Sequence, residues 1–188
     1  GPDTDGLAVG DAVVLSPIPP CGACYWCVRG EPGVCVNATA IQTNTFADGS
    51  TGLSRGGETI FRGVGLGAFA EYVNVPVSGA VKIPGGVSPE VACVIGCAVQ
   101  TGVGAVLNTA KVGEGDTVLV MGLGGVGLSV VQGARLAGAS RIIVSDPVAA
   151  RREQALAFGA TDAIDPTTDD VVTACHDLTE HNIGVDFA

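Results

Sequence analysis

The 188-residue sequence predicts an α/β protein in two parts: a β-rich N-terminal half with a four-cysteine lobe, and a C-terminal half wound around a parallel sheet. Three observations carry that prediction. Four cysteines fall within fifteen residues, in CGACYWCVRGEPGVC from Cys21 to Cys35. A glycine turn, GLGGVG at Gly122–Gly127, follows the apolar run TVLVM. Beyond it, strand-like and helix-like segments alternate to the end of the chain, the order that right-handed βαβ units produce.

Taken in order, DAVVLSP (Asp11–Pro17) reads as a short strand stopped by proline. The cysteine segment, rich in Gly and Pro, reads as loop. Residues 36–67 hold many Gly, Thr, Asn and Ser and read as long loops with short strands. AFAEYVNVPV (Ala68–Val77) alternates like a strand, and GAVKIP contains another before a turn at Gly85–Gly86. Ser88 is placed to N-cap a helix with Pro89 at its first position. From Glu90 the run VACVIGCAVQTGVGAVLNTA predicts helix, interrupted near Gly96–Gly104.

Then GDTVLVM predicts a buried strand, VGLSVVQGARLAGA a helix and RIIVSD a strand. PVAARREQALAFGA predicts a helix starting at Pro147 and ending at Gly159. TDAID predicts a short strand, TDDVVTACHDLTE a helix, and GVDFA the opening of one more strand. The division between the two parts is placed at residues 98/99, giving 1–98 and 99–188, with the cysteine lobe at 21–35.

Composition narrows the function classes. Formal net charge is −10, with 4 basic and 8 acidic residues before Ala98 and 5 and 11 after it. Nine scattered cations do not form the basic patch that a phosphate backbone requires, so nucleic acid and anionic membrane are not expected partners. No apolar run is expected to span a membrane, and the N-terminal stretch does not read as a signal peptide. The first residue is not Met, so the chain is expected to be part of a longer polypeptide. Seven cysteines, an odd number, fit reduced thiols in a cytoplasmic protein better than a secreted disulfide scaffold.

Cys21, Cys24, Cys27 and Cys35 have the spacing C-x2-C-x2-C-x7-C. Four thiolates suit a tetrahedral Zn²⁺ in a closed, structural site, whose task is to fix a loop that has no core. An iron–sulfur cluster uses the same donors, but the proline expected after the last ferredoxin cysteine is replaced by Val36. Disulfides are open only to oxidised protein, and a DNA-binding zinc ribbon would want basic flanks.

Gly122, Gly124 and Gly127 form G-x-G-x-x-G between a strand and a helix, and Asp146 stands 19 positions after Gly127 at the end of the next strand. That is the full dinucleotide-binding context. Gly122 permits the tight turn, Gly124 admits a pyrophosphate close to the backbone, and Gly127 lets the helix pack on the sheet. Asp146 is suited to accept the adenosine ribose hydroxyls and to repel a 2′-phosphate, favouring NAD over NADP. Elsewhere, Cys93 reads as core and Cys175 as structural. His176 and His181 read as solvated, and Tyr25 and Trp26 as surface cover or subunit contact.

Together these motifs resemble the zinc-dependent alcohol dehydrogenases of the medium-chain dehydrogenase/reductase superfamily. The resemblance rests on GDAVVLSPIPPCGACYWC, GAFAEYVNV, VIGCAVQTGVGAV, GDTVLVMGLGGVGLSVVQGARLAGASRIIVSD and GVDF, in family order along nearly the whole chain. It implies a partial GroES-like catalytic domain followed by the first part of a Rossmann domain. It implies that Cys21, Cys24, Cys27 and Cys35 hold structural zinc and that Cys97 is one ligand of a catalytic zinc. It sets Thr101 at the nicotinamide ring and Val126 behind it. Gly122, Gly124, Gly125 and Gly127 match the pyrophosphate turn, Asp146 the ribose carboxylate, and Arg151 a cation near that ribose.

The family's other catalytic-zinc ligands and its proton relay would lie before Gly1, so the chain as it stands is expected to be incomplete for turnover. The implied reaction is hydride transfer between a primary or secondary alcohol and NAD, in a homo-oligomer (dimer or tetramer). A thiol-adduct formaldehyde dehydrogenase of the S-(hydroxymethyl)glutathione type shares the motifs. Pro17 and Ile18 occupy a substrate-channel position of the family, and the loop Asn37–Gly67 is expected to shape the pocket rim.

Overall fold

The N-terminal elements are short: β1 (Val13–Leu15), α1 (Ala40–Thr43), β2 (Ser54–Arg55), β3 (Glu58–Thr59), β4 (Ala80–Lys82) and α2 (Pro89–Ala92). They come from a computed structural model that describes residue 4 and residues 6–188. The chain divides into two units, Gly1–Gly96 and Cys97–Ala188.

In the first unit β1 pairs antiparallel with β4, with Val14 opposite Val81. Lys82, half exposed, reaches across to Asp11 at 2.6 Å, a surface pair of small energetic weight. The β2–β3 hairpin turns through Gly56 and Gly57, both at positive φ (59° and 88°), as a two-residue loop between right-twisted strands demands. The Ser88 hydroxyl caps α2 by accepting from the Val91 amide, and Pro89 occupies the first turn. Gly96 packs on β1 so closely that a Cβ there would collide with the Leu15 carbonyl oxygen.

The strand expected over Ala68–Val77 does not form. Phe69 and Tyr72 stand fully in solvent at 110% and 92% exposure. Alternation assigns faces only when a partner strand completes the ladder, and among the described residues no strand lies alongside.

A second correction concerns the run from Pro89 to Ala110. It is one continuous helix of 22 residues with mean hydropathy 1.7, long and apolar enough to cross a membrane by length and composition, contrary to expectation. Many of its residues are Gly, Ala, Val and Cys, which raise hydropathy without large side chains. Its expected interruption appears as two wide π-turns, Ile95–Val99 and Ala105–Ala110, on either side of α3 (Gln100–Gly104).

The second unit continues with β5 (Thr117–Met121), α4 (Gly125–Ala137), β6 (Arg141–Ser145), α5 (Ala149–Phe158), β7 (Asp162–Ile164) and α6 (Val171–Leu178). β5, β6 and β7 form a parallel sheet in that order. Phe187 then bridges in parallel to Val118, on the side of β5 away from β6. The chain therefore reverses direction across the sheet at β5, and the crevice beyond the carboxyl end of such a strand is where ligands bind in open α/β sheets.

The core is Val131, Ile142, Ile143 and Val144, at most 2% exposed, with Ala134 and Ala155. Each large apolar side chain contributes about 1.5–3 kcal/mol by leaving water. Small residues set the helix spacing: a Cβ on Gly102 would lie 2.5 Å from the Val126 carbonyl oxygen, and one on Gly133 3.1 Å from Val103. Pro147 lies just outside α5, not at its start. The Asp146 carboxylate accepts the Val148 amide at 2.8 Å, and this turn delays the helix to Ala149. Gly159 ends α5 in the left-handed region, as expected.

Candidate functional site

In the cysteine lobe, two 3₁₀ turns, Cys27–Arg29 and Pro32–Val34, fold the chain back on itself. Gly30 at φ 82° permits the reversal between them. The result brings all four sulfurs within 4.8 Å of one another. Cys24 Sγ and Cys35 Sγ are 3.8 Å apart, and Cys21 Sγ and Cys27 Sγ 4.0 Å. Four sulfurs at about 2.3 Å from one Zn²⁺ form a tetrahedron with edges of about 3.8 Å, so the quartet has the dimensions of a metal cage. The thiols are free, and none is at disulfide distance.

Donors point inward at the sulfurs. The Cys24 amide lies 3.3 Å and Asn37 Nδ2 3.4 Å from Cys21 Sγ, and the Cys21 amide 3.4 Å from Cys35 Sγ. The Ala23 amide and then Asn37 hold the Cys21 thiol down to about 6. Loss of hydration, followed by the neighbouring Cys24 sulfur, pushes Cys27 up to about 12. The sulfurs thus compete for negative charge, a conflict that a divalent cation relieves. Tyr25 and Trp26 meet edge to face at 5.1 Å and are both solvent-exposed.

The glycine turn is tied to the end of β6. Gly122, at φ 88°, donates its amide to the Ser145 carbonyl at 2.8 Å. The Leu123 amide donates to Asp146 Oδ2 at 2.9 Å. A Cβ on Gly127 would overlap the Gly122 carbonyl oxygen, so glycine is required there by the protein itself. Gly124 differs: its φ of −77° is ordinary and no atom lies within 4 Å of where its Cβ would be. The protein leaves open space where the dinucleotide reading places a pyrophosphate. The amides of the first turn of α4 face out of its N-terminus, ahead of Leu128, which bonds back to Gly124 at 2.9 Å.

Asp146 is only 3% exposed and carries three partners: the Leu123 and Val148 amides, and Arg151 Nη1 at 3.6 Å. The Leu123 amide, then that of Val148, holds its carboxyl below the ordinary carboxylate range. A lowered native pKa stabilises the fold above the unfolded value and loses that contribution as pH falls through the native value. The Leu123 and Val148 amide resonances are therefore expected to stay in place from pH 7 to pH 5. They should move together below about pH 4; independent or earlier shifts would contradict the pinning role.

Cys97 and Thr101 are both exposed on the long helix, Cys97 in its first π-turn. Val126 is 43% exposed in the first turn of α4. Arg151 is half exposed above Asp146. Arg152 donates to the Asp146 carbonyl at 2.6 Å and pairs with Asp165 at 2.8 Å. Cys93 is exposed, contrary to its reading as core, and donates to the Glu90 carbonyl at 3.1 Å. Cys175 is buried and its thiol is pushed up by desolvation, while His176 and His181 are exposed.

One residue escapes sequence reasoning altogether. Arg62 is 5% exposed and donates to the carbonyls of Gly65 (3.2 Å), Thr51 (3.4 Å), Leu66 (2.7 Å) and Asn74 (2.6 Å). Its guanidinium also lies 4.0 Å over the Phe46 ring. It ties together loops that have little regular structure of their own. Arg62→Met should cost at least about 3 kcal/mol, since each carbonyl left dry costs about 1–3 kcal/mol. Urea unfolding followed by Trp26, the single tryptophan, measures it; an unchanged midpoint would rule this role out.

A four-thiolate lobe and a strand–glycine-turn–helix unit ending in a pinned aspartate define a two-part, metal-containing dehydrogenase class. Comparison with known proteins agrees. Residues 1–85 match the alcohol dehydrogenase GroES-like domain, and residues 125–188 the zinc-binding dehydrogenase domain. Alcohol dehydrogenase B of Mycobacterium tuberculosis is 43% identical over 162 residues, 86% of this chain and 43% of the relative. The S-(hydroxymethyl)glutathione dehydrogenase of a Synechocystis species is 42% identical over 171 residues, 90% of this chain and 46% of the relative. An alcohol dehydrogenase zinc-binding domain protein from Burkholderia ambifaria superposes with a TM-score of 0.86 at 38% identity, covering 95% of this chain and 49% of that structure. The chain belongs to the zinc-type alcohol dehydrogenase family of the medium-chain dehydrogenase/reductase superfamily. It spans about half the length of the curated relatives it matches.

Proposed function

We propose that this chain contributes the metal-stapled lobe and the coenzyme turn of an enzyme that moves a hydride between a primary or secondary alcohol and NAD. The observation that carries the reading is the open space at Gly124 beside a turn pinned by a buried, charged Asp146. When bound, zinc supplies Lewis acidity and NAD⁺ the hydride acceptor, so the net reaction converts alcohol and NAD⁺ to aldehyde or ketone, NADH and a proton.

The chain's own residues do the following in this reading. The quartet Cys21, Cys24, Cys27 and Cys35 holds a structural zinc and has no open position for chemistry. Cys97 offers one thiolate to a catalytic zinc, and Thr101, four residues on, borders the nicotinamide. Val126 backs that ring, and the amides at the start of α4 receive the pyrophosphate. Asp146 accepts from the ribose and repels a 2′-phosphate, while Arg151 covers the adenosine side. The free thiols suit a reducing, cytoplasmic setting.

The test is NADH formation by the intact enzyme across a panel of alcohols, with metal analysis. Two zincs per subunit and turnover with NAD support the reading; one zinc and no turnover would refute it. Asp146→Asn should weaken NAD at least about tenfold while narrowing the gap to NADP, because a hydrogen bond to a charged group contributes about 1.5–3 kcal/mol. A second reading, a dehydrogenase for the glutathione–formaldehyde adduct, draws support from the Synechocystis relative, which is nearly as similar as the mycobacterial one.

A further inference from the structure

The β6–β7 ladder ends at Ser145 opposite Ile164. Asp146 and Asp165 are the first residues past it, at the carboxyl edge of the sheet. The Asp146 carboxylate is held there by the Leu123 and Val148 amides. Its main chain is held separately. Arg152 reaches back from α5, and its Nη1 donates to the Asp146 carbonyl at 2.6 Å.

Arg152 is not a free cation. Its Nη2 meets Asp165 Oδ2 at 2.8 Å, and its side chain is 16% exposed, against 53% for Arg151. Asp165 is fixed in turn: its Oδ1 accepts the Thr167 amide at 3.0 Å and the Thr167 hydroxyl at 2.6 Å. A continuous run of bonds therefore joins the turn after β7 to the main chain of Asp146. One planar guanidinium spans the gap with two of its donors. The placing is otherwise unfavourable. Arg152 is the fourth residue of α5, near the end where the helix dipole disfavours cations.

We infer that Arg152, backed by Asp165, is a positioning residue for the coenzyme: it fixes the Asp146 main chain and so aims the carboxylate at the adenosine ribose. This role rests on the dehydrogenase reading above, and it is exerted through Asp146. The carboxylate has little acceptor capacity to spare. A carboxylate offers about four lone-pair positions. The Leu123 and Val148 amides take two of Asp146's, and Arg151 stands 3.6 Å from Oδ2. What is left for the ribose hydroxyls is narrow, so a small turn of the main chain points it away from them.

The experiment measures calorimetric binding of ADP-ribose, the coenzyme without its nicotinamide, to the intact, zinc-loaded enzyme, with KM for NAD and kcat alongside. Arg152→Met should weaken ADP-ribose and raise KM for NAD at least about tenfold, the scale on which a displaced binding group loses its ligand. The kcat at saturating NAD should stay within about twofold, as for an interaction lost equally from ground and transition states. Asp165→Asn should show the same loss in smaller measure, and the double variant should lose no more than Arg152→Met alone. Arg152→Lys keeps the charge but not the fork, so its binding should stay at least about fivefold weak. Full recovery with lysine would mean that charge near the ribose, not the tether, holds the coenzyme, and would overturn the inference. Additive losses in the double variant, or a fall in kcat with KM unchanged, would do the same. Parent-like ADP-ribose affinity in Arg152→Met would overturn it and leave the dehydrogenase reading standing. If Arg152→Met does not fold, unaltered affinity in Asp165→Asn has that effect instead. A parent enzyme that binds no ADP-ribose would overturn both.

Discussion

Replacing Gly127 by alanine should reduce coenzyme affinity at least about a hundredfold and destabilise the second unit, whereas Gly124→Ala should leave stability untouched and lose only the coenzyme. The two glycines sit three residues apart in one turn, and the difference between them is geometric. At position 127 a Cβ would overlap the Gly122 carbonyl oxygen, a backbone atom with no freedom to step aside. Gly122 is itself fixed by its bond to Ser145, and its neighbour Leu123 by its bond to Asp146. The strain passes into the helix–sheet contact, where overpacking costs about 1–3 kcal/mol and more against rigid backbone. A turn displaced by about 1 Å also misplaces its ligand, at a cost of about a hundredfold.

At position 124 nothing in the protein opposes a Cβ, and the dihedrals suit any residue. Alanine there intrudes only on what binds outside. Thermal unfolding and NAD titration of both variants give the comparison. A Gly124→Ala protein that binds NAD like the parent would mean the open space at the turn is not a pyrophosphate site.

The contrast between the two halves shows what kind of information a sequence carries. The turn at Gly122–Gly127 and the quartet Cys21–Cys35 are legible because the chemistry is local: the interacting groups lie within a few residues or at a fixed helical offset. β5, α4, β6, α5 and β7 are legible for the same reason, since βαβ units impose a regular order of periods. Arg62 is not, because its partners at residues 51, 65, 66 and 74 come from irregular loops whose paths no periodicity encodes. A lone arginine in the glycine-rich stretch FRGVGLG is its only trace. The run Ala68–Val77 has the right alternation but no ladder to join, so its pattern overstates its structure. Cys93 reads as core because its neighbours are apolar, yet helix geometry turns it outward. Apolar neighbours in sequence do not fix the face a side chain takes.

Stripping metal from the cysteine lobe should unfold residues 21–35 while the parallel sheet of the second unit survives. The lobe has no apolar core of its own. Of its fifteen residues only Cys35 is buried, and Tyr25, Val28 and Val34 are 62%, 69% and 56% exposed. Its regular structure amounts to two single 3₁₀ turns. What remains to order it is the convergence of four sulfurs, and structural zinc contributes about 10–16 kcal/mol to small folds of this kind. The second unit has its own cluster around Val131, Ile142 and Val144 and needs no metal. Chelation should therefore shift Trp26 emission to the red and open the lobe to protease, with the amide resonances of β5 and β6 unmoved. Cys24→Ser should do the same without chelator. The metal content of the purified protein settles the competing donor chemistry: iron with visible absorbance would replace zinc by a cluster. A lobe that stays protease-resistant after the metal is shown to be gone would mean the sulfurs are spectators.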